Sequence, residues 1–389
     1  MRKIRMSKVA VLLSTGQLGG AERSLIEQLA TLNDKSEILF FTPTLGRSKH
    51  NLDEMLNRKG FSSSQDVLYP KFIYEISRKQ VFLNLIFFIK LPLLFFYSMY
   101  YFFKFKSFTI VYVNGIKASV PFFLMGPLVL RKIHVLWHFR DYPHPAMFKC
   151  MPSIFSFYSK FKTNVKFSMI GNSESVTKEL NSFLTIDRAT TLYNLPGDLP
   201  EKKTIGKIKH IGIVSMLAPW KGLHSMLLNV ALYEKELKDL GIEKITFFGD
   251  DIYMTEGSHS RYKKNLLTLN SKLGIDFVFW AGHKDPIDIY TTIDLLIHPS
   301  LKVEPFGRVI IEAQKSGIPV ISTGLGGAME LISEGRGEKF FPYDYSGLFQ
   351  AIKKISSEEN YKNQMIKRSS LMVQKIETEI TAKISHLIG

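Results

Sequence analysis

Residues 298–330 read H-P-S-L-K-V-E-P-F-G-R-V-I-I-E-A-Q-K-S-G-I-P-V-I-S-T-G-L-G-G-A-M-E. The order is strand end, loop, helix, strand and glycine turn. Glu304 and Glu312 flank Pro305-Phe306-Gly307, where proline fixes φ and glycine permits a close backbone approach, so the chain turns between the two carboxylates. A helix pattern runs from Arg308 to Lys315, which leaves Glu304 on the loop before it and puts Glu312 about one turn inside. Gly317-Ile318-Pro319 stops that helix. Val320 to Thr323 is a short buried strand, and Gly324, Gly326 and Gly327 open the next helix. Two helix starts thus aim N–H groups without intrahelical acceptors into one neighbourhood, which suits a phosphate.

Outward from this stretch, the chain alternates strand and helix, the pattern of a mostly parallel sheet covered on both faces. At 389 residues the length suggests two domains. The first half has strands expected at Val9–Ser14, Ile38–Thr42, Asp66–Tyr69, Thr109–Val113, Lys132–His138, Phe167–Ile170 and Thr190–Tyr193. The pattern restarts after Pro196–Gly206, read as a linker, with strands at His210–Val214, Ile245–Phe248, Phe277–Trp280 and Ile293–Ile297. A helix follows the first of these to about Lys238, and the tail from Ser346 is helical. Each strand hands polar residues to its C-terminal end, the edge where open α/β sheets bind ligands. The first loop, Thr15-Gly-Gln-Leu-Gly-Gly20, is glycine-rich but lacks the G-x-G-x-x-G spacing and the P-loop lysine.

Composition narrows the setting. One cysteine, Cys150, excludes an intrachain disulfide and fits a reducing compartment. The net charge of +16 is uneven: residues 1–196 hold 26 of the 51 Lys and Arg but only 12 of the 35 Asp and Glu, and between Ile76 and Ser173 the one acid is Asp141. A basic half suggests an anionic partner. Arg2, Lys3, Arg5 and Lys8 precede only a short apolar run, which reads as a first strand rather than a signal peptide. The segment Val81–Lys106, VFLNLIFFIKLPLLFFYSMYYFFKFK, is apolar nearly all round. Lys90 and Pro92 interrupt it, and it is open to three readings: a buried helix, an interfacial helix dipping Phe and Tyr into a bilayer, or a transmembrane span.

The Glu304–Glu312 spacing, the Phe306-Gly307 turn, the Gly317-Ile-Pro-Val320 strand, the Gly-Gly turn with Glu330 three residues on, and Gly19-Gly-Ala-Glu-Arg23 together resemble the retaining GT-B glycosyltransferases of family four. The resemblance covers nearly the whole chain. It is strong from about 210 to 342 and poor at 43–110. It implies an α/β chain of two Rossmann-like, doubly wound domains facing a central cleft: residues 1–200 for the acceptor, 201–370 for the nucleotide sugar, and 371–389 as a C-terminal helix returning to the first domain.

For the site, the resemblance implies that Glu312 accepts the ribose hydroxyls and Glu304 a hydroxyl of the donor sugar. Backbone N–H groups at Phe306 and Gly307 would face sugar and phosphate, with Gly19 and Gly20 on the opposite side. Lys221, in Trp-Lys-Gly, matches the family's phosphate lysine. The partner arginine is missing near Ser215-Met216, so Arg308 is the candidate to supply part of that charge. His138, at a strand end in Trp-His-Phe-Arg-Asp, looks like the family histidine that orients an acceptor or takes a proton. His134 would share its face, and Arg140 and Asp141 follow on the acceptor side. Catalysis is expected from His138, Lys221 and Glu304 without a metal or other cofactor, since Asp250-Asp251 is not an Asp-x-Asp motif in its usual context. The expected donor is a UDP- or GDP-type sugar. The expected acceptor is a lipid-linked or polysaccharide chain at an anionic membrane surface, with the protein cytoplasmic and peripheral on the inner face of the plasma membrane. The alternatives are a soluble glycosyltransferase for a small molecule or protein, and a catalytically impaired GT-B partner subunit. Nucleic acid fits the charge but not the two glutamates.

Overall fold

The computed structural model describes residues 8–43, 50–68, 91–115, 133–143, 165–183, 189–201, 206–250 and 259–388. By its own contacts the chain divides into two units. The first is residues 1–194 with 378–389, and the second is residues 195–377. The divide falls ahead of the expected position near 200. Asn194 still belongs to the first unit, where its side chain accepts hydrogen bonds from Ser24 and Arg140.

The first unit contains β1 (Val9–Leu12), α1 (Gly20–Ala30), β2 (Ile38–Pro43), α2 (His50–Arg58), β3 (Gln65–Val67), α3 (Leu91–Phe105), β4 (Ile110–Asn114), β5 (Ile133–Phe139), β6 (Val165–Gly171), α4 (Glu174–Phe183) and β7 (Thr190–Thr191). Its seven strands lie in the order β3-β2-β1-β4-β5-β6-β7, every pair parallel. The chain lays strands to one side of β1 and then crosses to the other. The loops after β1 and β4 therefore diverge at their C-terminal ends, the topological switch point where open α/β sheets bind ligands. The strands read as nearly continuous apolar runs because both faces are covered.

The second unit repeats the plan with β8 (His210–Val214), α5 (Leu223–Leu232), α6 (Glu234–Asp239), β9 (Lys244–Phe248), α7 (His259–Leu273), β10 (Val278–Gly282), α8 (Pro286–Thr292), β11 (Leu295–His298), α9 (Arg308–Lys315), β12 (Val320–Ser322), α10 (Gly327–Ile332), β13 (Glu338–Lys339) and α11 (Tyr345–Ser357). The six-stranded sheet runs β10-β9-β8-β11-β12-β13, again all parallel, with its switch point between β8 and β11.

Two elements depart from the sequence reading. The helix expected from the first loop to Lys238 breaks at Tyr233, whose φ of −117° ends α5 and starts α6. Its ring stacks on Phe349 of α11 at 4.5 Å, so packing overrides a continuous helical pattern. The edge strand β13 is only two residues long, too short for periodicity to reveal.

The tail is α11 followed by α12 (Glu359–Ile388), a helix of 30 residues. Ile376, Ile380, Ile384 and Ile388 recur on one buried stripe. Residues up to Glu377 count with the second unit, and those from Thr378 with the first.

Of the aromatic segment, residues 81–90 lie outside the described residues and 91–105 form α3. Tyr101 and Phe105 are fully buried, and Phe105 meets Phe41 of β2 edge-on at 5.0 Å. Leu93, Phe95, Phe96 and Phe103 stand exposed, Phe96 to 70 %. No helix among the described residues is long and apolar enough to cross a membrane.

The close approach of the loop before α9 to the start of α10 depends on Gly327. A Cβ there would fall 2.2 Å from the Pro305 carbonyl oxygen. Gly327→Ala should therefore lower unfolding free energy by ~2 kcal/mol or more. Gly206→Ala, with nothing within 4 Å of the added carbon, should be nearly silent. Urea denaturation of the two variants beside the parent protein checks the pair.

Candidate active site in the second unit and its counterpart in the first

At the second unit's switch point, β11 delivers His298 and then the loop Pro299–Gly307, while the loop after β8 delivers Lys221. Lys221 closes a short 3-10 turn, Pro219–Lys221, followed by Gly222 at φ +73°. A side chain on Gly222 would collide with the Pro299 carbonyl at 2.0 Å, so glycine is what lets this turn lie against the β11 loop. Leu301 N–H bonds to Trp220 O at 2.8 Å and fastens the two loops together.

Glu304 is the meeting point. Its Oε1 accepts from Lys221 Nζ at 2.5 Å and from Ser300 Oγ at 2.6 Å, with His298 Nε2 3.9 Å away. Its backbone bridges to the turn before α10: Glu304 N–H donates to Leu325 O, and Gly327 N–H donates to Glu304 O. Burial would raise the Glu304 carboxyl, but His298, Lys221 and the hydrogen bonds from Lys221 and Ser300 outweigh it and hold it below the usual value. His298 is itself pushed down to about 4, first by burial and also by Lys221, against the pull of Glu304. It is thus neutral at physiological pH, and the charge that stabilises Glu304 is that of Lys221.

One turn into α9, Glu312 is buried with both oxygens held. Arg308 Nε donates to Oε1 at 2.6 Å and Tyr290 Oη donates to Oε2 at 2.8 Å. Burial, reinforced by the Glu312 charge and hydrogen bond, pushes the Tyr290 hydroxyl well up, so it remains a donor. A carboxylate offers about four acceptor positions, which leaves room for a ligand's hydroxyl hydrogens. The apolar run Val309-Ile-Ile-Glu-Ala already demanded a partner for Glu312. Arg308 one turn back was visible at that spacing, whereas Tyr290 reaches it from α8 and gave no local signal. Phe306 is buried and Gly307 takes φ +95° as the N-cap of α9. That conformation turns the chain into the helix, whose first-turn N–H groups have no intrahelical acceptor.

At the position where the phosphate-site arginine was sought, Ser215 directly follows β8. Its carbonyl lies so close to Gly249 that a Cβ there would be 1.9 Å away. Asp250 pairs with Lys263 at 2.7 Å, and Asp251 lies outside the described residues. Among the described residues, no group of three His, Cys, Asp or Glu is arranged to hold a metal ion.

In the first unit, Gly19 is the extended N-cap of α1 and Gly20 its first residue. Glu22 folds back over them and is pushed up to about 7, chiefly by burial, against the hydrogen bonds of its own and the Gly19 backbone and the charge of Arg140. His138, next to the last residue of β5, is fully buried, and its Nδ1 shares a 2.6 Å hydrogen bond with Tyr112 Oη on β4. Arg140 does not present its fork outward. Nε donates to Asn114 Oδ1 at 2.8 Å, Nη1 to Asn194 Oδ1 at 2.5 Å and Nη2 to Gln28 Oε1 at 3.2 Å. Asp141 accepts from the neighbouring Tyr142 N–H, and Arg131 lies outside the described residues. His134 shares the face of His138 but sits four residues back, bonded to Ser168 Oγ at 2.8 Å.

The two parallel sheets, each with its polar residues at a switch point, define a doubly wound α/β protein. Residues 198–372 match the family model described as glycosyl transferases group 1. The D-inositol 3-phosphate glycosyltransferase of Corynebacterium urealyticum is 28% identical over 180 residues, covering 45% of this chain and 41% of that protein. The capsular polysaccharide biosynthesis glycosyltransferase CapM of Staphylococcus aureus is 26% identical over 151 residues, covering 39% and 37%. The alignments thus span about two fifths of these curated relatives' length. Among solved structures, Anabaena HepE in complex with UDP and glucose superposes with a TM-score of 0.73 over 98% of both chains at 20% identity. That likeness establishes the GT-B fold.

Glu22 gives a pH signature. Its carboxyl titrates near 7 when folded and near the ordinary 4.5 when unfolded, so the folded state binds the extra proton between those values. Stability from this group is therefore complete below about pH 4.5 and is lost as pH rises through 7. The loss is about 3 kcal/mol at 1.36 kcal/mol per unit. Urea unfolding across that range should show the parent protein losing stability relative to Glu22→Gln, with a parallel pH dependence of the two proteins counting against the assignment.

Proposed function

We propose that this protein is a retaining, metal-independent glycosyltransferase. In this reading it moves a sugar from a UDP- or GDP-type donor to a lipid-linked or polysaccharide acceptor, with the second unit holding the donor and the first the acceptor. The observation that carries it is the pairing of two carboxylates, the buried Glu312 and the partly buried Glu304, with two cations, Arg308 and Lys221, around the start of α9.

A sugar nucleotide needs acceptors for its hydroxyls and positive charge for its diphosphate, and here each carboxylate comes with its cation. Glu312, oriented by Tyr290 and Arg308, accepts the ribose hydroxyls. Glu304 accepts a hydroxyl of the donor sugar. In the chemical step the bond from the anomeric carbon to the β-phosphate oxygen breaks and its electron pair stays on the phosphate. The acceptor oxygen bonds to the same face of the carbon, and its proton passes to the departing phosphate. Lys221 stabilises the growing negative charge, aided by the α9 N-terminus and by Arg308 in place of the missing arginine. The name of the CapM relative, a polysaccharide enzyme, and the UDP and glucose held by HepE support this choice of donor and acceptor class.

The membrane side of the reading rests on α3. Its inner face is fixed in the core by Tyr101 and Phe105 while Phe95, Phe96 and Phe103 project outward, beside Lys104 and Lys106, in a half of the chain rich in basic residues. That is the arrangement of an interfacial element for anionic lipid on the cytoplasmic face. A catalytically impaired partner subunit is the second reading, favoured by Ser215 at the arginine position.

Glu312→Ala should weaken binding of UDP- and GDP-sugars, and of the free nucleotide, by about tenfold or more, given 1.5–3 kcal/mol for a charge-assisted hydrogen bond. Calorimetric titration checks this, and unchanged affinity would remove Glu312 from the site. Transfer or donor hydrolysis by the parent protein excludes the impaired reading.

Phe95, Phe96 and Phe103 replaced together by Ser should release the protein from vesicles of phosphatidylglycerol and phosphatidylcholine in a flotation assay. Phe102 is spared because it packs against the core. Equal flotation of parent and variant would remove α3 from membrane attachment.

A further inference from the structure

β11 and β12 are paired so that His298 lies opposite Ser322. In a parallel pair such residues point to the same face, about 4.8 Å apart. His298 Nδ1 and Ser322 Oγ accordingly share a buried hydrogen bond of 3.0 Å, and Ser322 Oγ also accepts from the Gly324 N–H at 3.1 Å. The other ring nitrogen is aimed at the site: Nε2 stands 3.9 Å from Glu304 Oε1. That gap is about 1 Å too long for a hydrogen bond. Glu304 Oε1 is occupied instead by Lys221 Nζ at 2.5 Å and Ser300 Oγ at 2.6 Å. A buried histidine is thus fixed within reach of a carboxylate to which it is not bonded, and the sugar-binding role of Glu304 does not account for it.

The place of the ring proton follows from these partners. If Nδ1 carried it and donated to Ser322, the buried Ser322 hydroxyl hydrogen would lack an acceptor among the described residues, and the Nε2 lone pair would face an anion. If Ser322 donates to Nδ1, its oxygen still accepts from Gly324, and the ring's proton sits on Nε2, directed at Glu304. Among the described residues the charged groups acting on the ring are Glu304 from its own loop and Lys221 from the loop after β8. β12 contributes only the neutral Ser322 and the Thr323 N–H, which donates to the His298 carbonyl. Burial, supported by Lys221, holds the imidazole at about 4 against the pull of Glu304. Lys221 therefore acts on His298 twice: it occupies the carboxylate oxygen that Nε2–H would bond, and its charge opposes a second proton on the ring.

An anion that binds Lys221 competes with Glu304 for one ammonium group and brings negative charge beside the carboxylate, where like charges repel. We propose that His298 is the reserve partner of Glu304: when an anion takes Lys221, Glu304 Oε1 turns to the Nε2–H of His298, so the carboxylate keeps its place and its charge while the lysine serves the ligand. His298 is a positioning residue in this hand-over, and Ser322, itself held by the Gly324 N–H, selects its tautomer. The hand-over deepens the glycosyltransferase reading and rests on it for the identity of the anion, the diphosphate of a sugar nucleotide.

The test uses the full-length protein with 15N-labelled histidine, His298 being assigned by the signal lost in His298→Gln. At neutral pH the free protein should show His298 as the neutral Nε2-protonated tautomer, and Ser322→Ala should mix the two tautomers. Inorganic pyrophosphate and UDP are then added separately. Each should move the Nε2-bound proton downfield, as a hydrogen bond to a carboxylate does. Each should also raise the titration midpoint of His298, about 4 in the free protein, by about one unit or more. Lys221→Ala frees Glu304 without a ligand, so it should show both changes from the start, with nothing added by pyrophosphate. Calorimetry supplies the affinities. His298→Asn keeps a group beside Ser322 but places none at the Nε2 position, so pyrophosphate affinity should fall about tenfold, the equivalent of 1.4 kcal/mol. His298→Gln, whose amide reaches that position, should restore most of it. An Nδ1-protonated ring, a resonance that neither anion moves, an unchanged His298 in folded Lys221→Ala, or equal affinity in His298→Asn overturns the proposal. The hand-over seen with pyrophosphate in a protein that neither transfers nor hydrolyses a nucleotide sugar leaves His298 in its role and removes the glycosyltransferase reading instead. Turnover of a nucleotide sugar while the His298 resonance stays still does the reverse.

Discussion

A carboxylate placed at the end of a buried parallel sheet must be matched by a cation and by hydrogen-bond donors, and Glu304 is where this protein meets that demand. Its side chain takes Lys221 from the loop after β8 and Ser300 from its own loop, while its backbone ties the loop to the turn before α10. One residue thereby fixes three segments against each other. Removing Lys221 alone would leave a buried charge, a change of a kind that costs about 3–5 kcal/mol. The local glycines serve the same junction. Gly222 and Gly327 stand where a neighbouring backbone comes closer than any side chain allows.

The first unit solves a related problem with the opposite sign. Arg140 is a partly buried cation, and amide oxygens from β4, α1 and the chain leaving β7 surround it. These acceptors hold its fork in place, and its charge reaches its neighbours: after burial, which acts most, it lowers His138 further, and it opposes the burial-driven rise of Glu22. In the second unit the carboxylates and cations pair directly, whereas here burial sets the protonation of the neighbouring groups and the charge of Arg140 adjusts it.

Much of this was legible in the sequence because it is written locally. The Glu304–Glu312 spacing around Phe306-Gly307, the helix Arg308–Lys315, the alternation of strands and helices and the basic first half all follow from short-range patterns. What was not legible comes from long-range pairing. Tyr290 reaches Glu312 across 22 residues and Tyr112 reaches His138 across 26, and no periodicity links such pairs before the sheet register is known. Arg140 was singled out for the acceptor side from its motif, but its inward-turned fork depends on Gln28 and Asn194, which are far away in the chain. The break at Tyr233 required knowing that Phe349 would stack on it.

The pairing of every site cation with a carboxylate has a kinetic meaning. A pocket whose charges cancel within a few ångströms projects little field beyond about one Debye length, some 8 Å at physiological ionic strength. Residues 197–389 as a whole carry 25 basic against 23 acidic side chains. The charges of the site itself therefore add little to the attraction of an anionic ligand from a distance. What they contribute is deferred to the moment of contact, when such a ligand meets cations already engaged by carboxylates. Discrimination at this site is consequently expressed in how fast ligands leave rather than in how fast they arrive.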